Sequence, residues 1–292
     1  MRSPRILFDT NAVRSFFRER GVPLAMLPEL RQRARSAVAT GALRVVGTQP
    51  VLWELTSLIQ EEGLANYTDV ISFYIGLAHR WWMLDEYSRM RLELRCRRPL
   101  ADNEVFAVHD QDKMLGLCLN PIWIEEKYKW QRAEKDAERT SELSVREKAV
   151  RALDEASTNW RSLLLQEMSP EQFDSAVSTR VRLEMKRVAR RQGLRLAGHQ
   201  WPLPRLVPTF WFSESFTMAK ALRVFAGKKG VISKRSIDAT PDMFDATHFR
   251  DAAYVDVFVT NDANLLDVAE GARVPIRVVT LEGFATELGL TV

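Results

Sequence analysis

Near the end of the chain, residues 255–262 read VDVFVTND, and this stretch decides how the rest of the sequence is interpreted. The run Val255–Val259 has the length and apolar content of a buried strand, and the turn at residues 260–262 ends it. Residues 263–269 then have the composition of a helix. In an open parallel sheet, ligands bind outside the carboxyl ends of the strands. Asp262 is therefore expected to lie where a functional site would form.

The first strand of the chain is predicted to end in the same way. Residues 6–11 read ILFDTN, so Asp9 follows a short apolar strand directly. Two further acids, Glu54 and Asp245, are predicted to lie in the first turns of helices. In a parallel sheet, the carboxyl ends of strands and the amino ends of the following helices share one edge, so these two acids are expected to meet Asp9 and Asp262.

Four clustered carboxylates predict a cation site. Such groups repel one another, and burial raises their pKa values unless a cation neutralises them. Oxygen ligands favour hard divalent ions, Mg²⁺ or Mn²⁺. Two such ions about 3.5–4 Å apart can activate water and stabilise both oxygens in the displacement of a phosphodiester.

Several of these acids also have simpler explanations. Asp9 could serve as a helix N-cap, and Glu54 could be a first-turn acid favoured by the helix dipole. Asp242, one helical turn before Asp245, is the alternative third ligand. His248 is predicted to be a packed helix residue, and we interpret Asp251 and Asp256 as surface residues.

Composition places the chain among globular proteins. Of its 292 residues, 46% are hydrophobic and 27% charged, which is enough apolar material for a sizeable core. No apolar run approaches the roughly 18–20 residues that a membrane span requires, and the N-terminus does not resemble a secretory signal. Cys96 and Cys118 lie in different contexts and form no metal-ligand pair. These features predict a cytoplasmic protein.

Charge is distributed unevenly along the chain. Residues 80–235 carry 30 Lys and Arg against 21 Asp and Glu, a net +9, whereas the remainder carries −5. Within residues 180–195, seven bases accompany one acid, and helical spacing places Val181, Met185, Val188 and Ala189 on one face. We predict that nucleic-acid phosphates bind the following residues: Arg182, Lys186 and Arg190 on another face, and Lys228, Lys229, Lys234 and Arg235 in a loop. The alternative is a solvated helical segment without a ligand.

The order of the predicted elements indicates an α/β fold with a parallel sheet. Residues 1–80 and 205–292 contain the strands. Residues 81–204 have little strand character and read as a mostly α-helical, basic insertion. A helix is expected to begin at Ser213 after the prolines of residues 202–208.

Four segments carry a family resemblance. They are ILFDTN at 6–11, VLWEL at 51–55, DATH at 245–248 and FVTND at 258–262. In this order they resemble the motifs of PIN-domain nucleases, across residues 1–80 and 205–292 but not across the middle segment. The resemblance implies a three-layer α/β/α domain and a metal-dependent endoribonuclease. Its Mg²⁺ or Mn²⁺ ligands would be Asp9, Glu54, Asp245 and Asp262, with Asn11, Thr260 and Asn261 as supporting residues.

The same resemblance implies partners. RNA would be the substrate, an antitoxin protein would pair with a toxin of this type, and homodimers are common in the family. A defence nuclease is a related interpretation. Two alternatives stay open: a PIN-like module that binds RNA or protein without cutting, and a nuclease that acts on DNA. Recognition through phosphates does not distinguish the two polymers.

Overall fold

The structure is a computed structural model that describes residues 3–107, 109–129, 132–133, 168–225 and 243–290, without the side chains of residues 221, 223–225 and 243–246. Some predicted site residues lie outside this range, namely Asp242 and the basic loop residues Lys228, Lys229, Lys234 and Arg235.

A four-stranded parallel sheet forms the centre of the fold. Its strands are β1 (Arg5–Phe8), β2 (Arg44–Val46), β5 (Val257–Val259) and β6 (Arg277–Val279), in the spatial order β2-β1-β5-β6. Leu7 of β1 is in register with Val46 and with Phe258. The carboxyl ends of all four strands therefore point to one edge, as the sequence predicted.

Two further strands lie in the segment for which the sequence predicted little strand character. The strand β3 (Trp82–Met83) pairs antiparallel with β4 (Phe106–Ala107). Gly47, directly after β2, forms a parallel bridge with Trp82. A Cβ atom on Gly47 would lie 2.7 Å from the Trp82 ring, so this close approach of the two strands requires glycine.

Helices account for most of the remaining described residues. Before the second half of the chain they are α1 (Thr10–Ser15), α2 (Leu27–Ala39), α3 (Gln49–Leu55), α4 (Leu58–Glu62), α5 (Leu64–Ala78), α6 (Glu86–Cys96), α7 (Asp102–Val105) and α8 (Gln111–Cys118), and residues 121–129 are also helical. After residue 168 they are α9 (Pro170–Arg191), α10 (Pro208–Phe225), α11 (Met243–Asp251), α12 (Ala263–Gly271) and α13 (Leu281–Glu287). None of these described helices is long and apolar enough to cross a membrane.

The two faces of the sheet are covered by different helices. Ile6 and Phe8 belong to one hydrophobic cluster, with side chains of α1–α5, α8 and α13. Leu7 and Phe258 belong to the other, with side chains of α6, α7 and α9–α12. Because strand side chains alternate between faces, a short apolar strand fills both layers. The predicted α/β class with a parallel sheet is confirmed.

The described part of residues 81–204 packs on this sheet. Val181, Met185, Val188 and Ala189 of α9 are buried in the second cluster, which confirms the predicted apolar face. The packing thus joins α9 to the strands, while the predicted domain boundaries at residues 81 and 204 stay a prediction. The helix expected from Ser213 begins earlier, because Pro208 is favourable in a first helical turn.

Candidate functional site

Asp9 lies at the carboxyl edge of the sheet and is 2% exposed. Its backbone N–H donates to the carbonyl of Val259, which places it beside the end of β5. The side chain caps α1, since Oδ1 accepts the Ala12 N–H at 2.6 Å. Oδ2 accepts the hydroxyl of Thr260. Asp9 is therefore both the N-cap that the sequence allowed and a buried carboxylate at the predicted edge.

Glu54 reaches the same edge from an unexpected position. The helix α3 has seven residues, so Glu54 lies in its last turn and the first-turn prediction is wrong. The hydroxyls of Thr56 and Ser57 donate to the carbonyls of Trp53 and Glu54, at 2.6 and 2.9 Å. These side chains compete for the carbonyls of the helix where it ends.

Glu54 connects three segments of the chain. Its Oε2 atom accepts the hydroxyl of Thr10, the residue after Asp9. The same oxygen lies 2.8 Å from Nε2 of His248 in α11. His248 is 2% exposed, so the prediction of a packed residue holds, yet its contact with Glu54 was not foreseen. The one available signal was its position three residues after Asp245, on the same side of a helix.

Asp262 caps the next helix along the sheet. Its Oδ1 accepts the N–H groups of Asn264 and Leu265, at 2.7 and 3.0 Å. Its own N–H donates to Thr260 Oγ1 at 3.1 Å. Thr260 is fully buried, and its hydroxyl therefore links Asp262 to Asp9. The supporting role of Thr260 in a metal site stays a prediction.

The other predicted residues are placed as follows. Asn11 is partly buried in the first turn of α1. The Asn261 amide accepts the Leu281 N–H at 2.9 Å and donates to the carbonyl of Arg20 at 3.3 Å, so it holds neighbouring segments together. Asp245 belongs to α11 one turn before His248, and its side chain lies outside the described atoms.

The environment of Asp9 disfavours its negative charge. The pKa of Asp9 is raised from 3.8 to about 6, mainly by burial and to a smaller extent by the nearby charge of Glu54. The bonds from Thr260 and Ala12 and the charge of His248 act in the opposite direction but do not cancel the burial. Near neutral pH, the ionised form of Asp9 would thus be stabilised by an added cation.

The donor atoms suit a hard cation, although the described atoms do not complete a metal site. Asp9, Glu54 and Asp262 supply carboxylate oxygens, the ligand type preferred by Mg²⁺ and Mn²⁺. Among the described residues, no group of three or more His, Cys, Asp or Glu side chains is arranged to hold an ion. The side chain of the fourth predicted ligand, Asp245, lies outside the described atoms.

The predicted basic face of α9 is exposed to solvent. Arg182, Lys186 and Arg190 are all exposed, on the side of the helix away from the second cluster. Elsewhere on this part of the chain, Trp82 is buried and Trp81 is partly buried. Tyr128 is partly buried, and its hydroxyl bonds to Gln60.

Asp251 is not the surface residue that the sequence predicted. It is 4% exposed and forms an ion pair with Arg89, which is fully buried. Nearby, Glu93 accepts hydrogen bonds from Thr209 and from the hydroxyl of Tyr254 at 2.7 Å. These bonds connect α6 to α10 and to the end of α11. Asp256 is exposed, as predicted.

Comparison of the chain with protein-family models, with curated proteins and with solved structures found no match.

Proposed function

We propose that this protein is a PIN-like, metal-dependent nuclease that hydrolyses phosphodiester bonds of RNA with Mg²⁺ or Mn²⁺. The observation that carries the proposal is the convergence of Asp9 and Glu54 at the carboxyl edge of a parallel sheet. Asp9 follows β1, while Glu54 comes from the helix after β2 and is bonded to the segment of Asp9 and to α11. Asp262 is joined to this group through Thr260.

The chain's own residues would hold the carboxylates in place. Thr260 and the Ala12 N–H orient the two oxygens of Asp9, and Thr10 and His248 orient Glu54. Asp245 would add the remaining carboxylate from the first turn of α11. When bound, the ion would supply a water of lowered pKa and charge stabilisation at the phosphate. Fixed carboxylates favour catalysis because no reorganisation is needed when the ligand arrives.

One observation favours a second candidate function, a non-catalytic PIN-like module that binds RNA or protein. Both carboxylate oxygens of Asp9 already accept hydrogen bonds from the protein. A carboxylate whose oxygens both accept hydrogen bonds from the protein does not require a bound ion to be stable. Hydrolysis of DNA instead of RNA is the variant of the first candidate that phosphate recognition leaves open.

A cleavage assay with matched aspartate variants tests the proposal. Unstructured RNA and single-stranded DNA are incubated with Mn²⁺, Mg²⁺ or EDTA and with the wild type, Asp9→Asn, Asp262→Asn or Asp256→Asn. Asp256 precedes β5 and so lies at the opposite end of this strand from Asp262. We expect metal-dependent cleavage of RNA by the wild type and by Asp256→Asn, and at least a hundredfold loss in the other two. Circular dichroism checks that each variant is folded.

Each alternative has its own result. Cleavage of DNA but not RNA would change the proposed substrate to DNA and would leave the site assignment intact. Full activity of Asp9→Asn would overturn the site assignment. Absence of cleavage by a folded, Mn²⁺-binding wild type would favour the binding module.

A further inference from the structure

A groove at the carboxyl end of α9 is a candidate binding surface outside the carboxylate edge. It has a volume of about 730 Å³, and Lys186, Arg190, Arg195, Gln200 and Trp201 contribute to its walls. This volume is within the range of about 300–1,000 Å³ typical of ligand sites. Lys186, Arg190 and Arg195 are exposed, so a polymer as well as a small molecule can approach them.

The local sequence explains the shape of the groove. Gly193 has φ +65°, in the left-handed region that suits glycine at a helix end. The N–H of Leu194 donates to the carbonyl of Ala189 at 2.8 Å, which closes the last turn. The chain then reverses, and Leu194, Leu196 and Trp201 pack against the second hydrophobic cluster. The segment after the helix thus becomes the wall opposite α9.

The charge of the groove is positive and has no counterion within the described part of the chain. None of the described lining residues is acidic. Lys186, Arg190 and Arg195 make no ion pair with another described residue, whereas their neighbour Arg187 pairs with Glu184 at 2.7 Å. The helix dipole favours Arg190 in the last turn, but Arg195 lies beyond the helix. A bound polyanion would neutralise all three cations.

The spacing and the aromatic wall suggest which polyanion fits. Lys186 and Arg190 line the groove four residues apart, which is about 6 Å along the helix axis. That interval is comparable to the separation of neighbouring phosphates in an extended single strand. Trp201 is partly buried, and an indole at the side of a phosphate track can stack on a base.

We propose that this groove binds a single-stranded nucleic acid segment, with its phosphates on Lys186, Arg190 and Arg195 and a base on Trp201. The choice of RNA as the strand rests on the proposed function. The groove would hold the substrate, while the carboxylate edge would cut it.

Equilibrium binding in EDTA tests the groove without cleavage. The probe is a fluorescent, unstructured 12-nucleotide RNA, followed by anisotropy at several salt concentrations. We expect Lys186→Glu to weaken binding several-fold and to reduce the slope of log affinity against log salt by about 1, because a phosphate contact is lost. Arg187→Glu makes the same charge change at the adjacent exposed residue outside the groove, and should change both quantities far less.

Substitutions of the tryptophan test the stacking. Trp201→Leu should lose about tenfold in affinity and Trp201→Phe clearly less, because phenylalanine retains an aromatic face. Thermal melting confirms that these variants are folded, and Trp201→Phe keeps the test informative if Trp201→Leu is not. Equal losses in Lys186→Glu and Arg187→Glu, unchanged binding in Trp201→Leu, or equal affinity for the double-stranded form would each overturn the proposal.

The groove and the nuclease can fail separately. Binding that depends on the groove in a protein that cuts nothing would keep the groove and remove the proposed activity. Metal-dependent cleavage that is insensitive to every groove substitution would keep the proposed activity and remove the groove as a binding site.

Discussion

Two buried aspartates of this fold have different partners. Asp251 is 4% exposed and is paired with the guanidinium of Arg89. Asp9 is 2% exposed and is held by a threonine hydroxyl and a backbone N–H. Burial raises the pKa of both carboxyls, and the charge of His248 opposes this effect at both. Among the described residues, a guanidinium paired directly with the carboxylate, that of Arg89, opposes it at Asp251 and not at Asp9.

This difference separates a structural acid from a candidate functional one. A buried charge is tolerated when its partner is also charged and well placed, as in the pair that joins α6 to α11. A buried carboxylate held by neutral donors lowers stability at neutral pH. Such acids are frequent where a protein binds a cation or transfers a proton. Burial of the ionised Asp9 carboxylate therefore lowers the stability of the fold, and Asp9 is a residue of the proposed site.

Removal of Arg89 should have the largest effect. In Arg89→Leu, Asp251 would remain buried without its cation, and the free energy of unfolding should fall by about 3–5 kcal/mol. Urea denaturation at pH 7 measures this change. Arg98→Leu is the matched control, because Arg98 is half exposed and its solvent-screened pair with Glu104 should contribute little to stability. Equal losses in the two variants would show that the buried pair is not structural.

Replacement of Asp9 should act in the opposite direction. The pKa of folded Asp9 lies above the unfolded value of 3.8, so its contribution to stability is complete below about pH 4 and is lost as the pH rises through about 6. In metal-free protein at pH 7, Asp9→Asn should therefore raise the free energy of unfolding by up to about 3 kcal/mol.

The test is denaturation of metal-free protein across pH 4–8. In the wild type, the free energy of unfolding should decline between pH 4 and 7 as Asp9 ionises. In Asp9→Asn this contribution to the decline should be absent. Asp256→Asn serves as the control. Asp256 is exposed and pairs with Arg5, so this variant should lower the whole profile while keeping its wild-type slope between pH 4 and 7. A wild-type profile identical to that of Asp9→Asn would show that the charge of Asp9 is already compensated.

The Thr260 hydroxyl should have the smallest of the three effects. Thr260→Val removes the donor to Asp9 Oδ2 at nearly constant volume and should lower stability at pH 7 by about 1.5 kcal/mol. The loss should be smaller in an Asp9→Asn background, since the two groups interact directly. Thr217→Val, which removes a hydroxyl that donates to a helix carbonyl at 2.9 Å, provides the reference. If the losses of unfolding free energy add in the double variant, the Thr260 hydroxyl does not interact with the Asp9 carboxylate.

Local patterns predicted the parts of the structure that depend on neighbouring residues. The apolar runs before Asp9 and Thr260 form adjacent parallel strands, and the buried face of α9 follows helical spacing. The position of Glu54 was predicted incorrectly, because the end of α3 depends on hydroxyls that compete for carbonyls. Such competition is a weak sequence signal for the end of a helix when the neighbouring residues are apolar and favour its continuation.

Contacts between distant residues could not be predicted in the same way. Asp251 looks like a surface acid until α6 brings Arg89 to it across 162 positions. His248 contacts Glu54 across 194 positions, and neither local composition nor periodicity encodes that meeting.

The sequence by itself determined the strands before Asp9 and Thr260, the apolar face of α9 and the acids that follow β1 and β5. These features depend on side-chain periodicity and on turn residues within a few positions. Only the tertiary structure decided which buried acids have a positively charged partner. The energy of a buried charge depends on the dielectric and on the partner that the fold places beside it, and those partners come from remote parts of the chain.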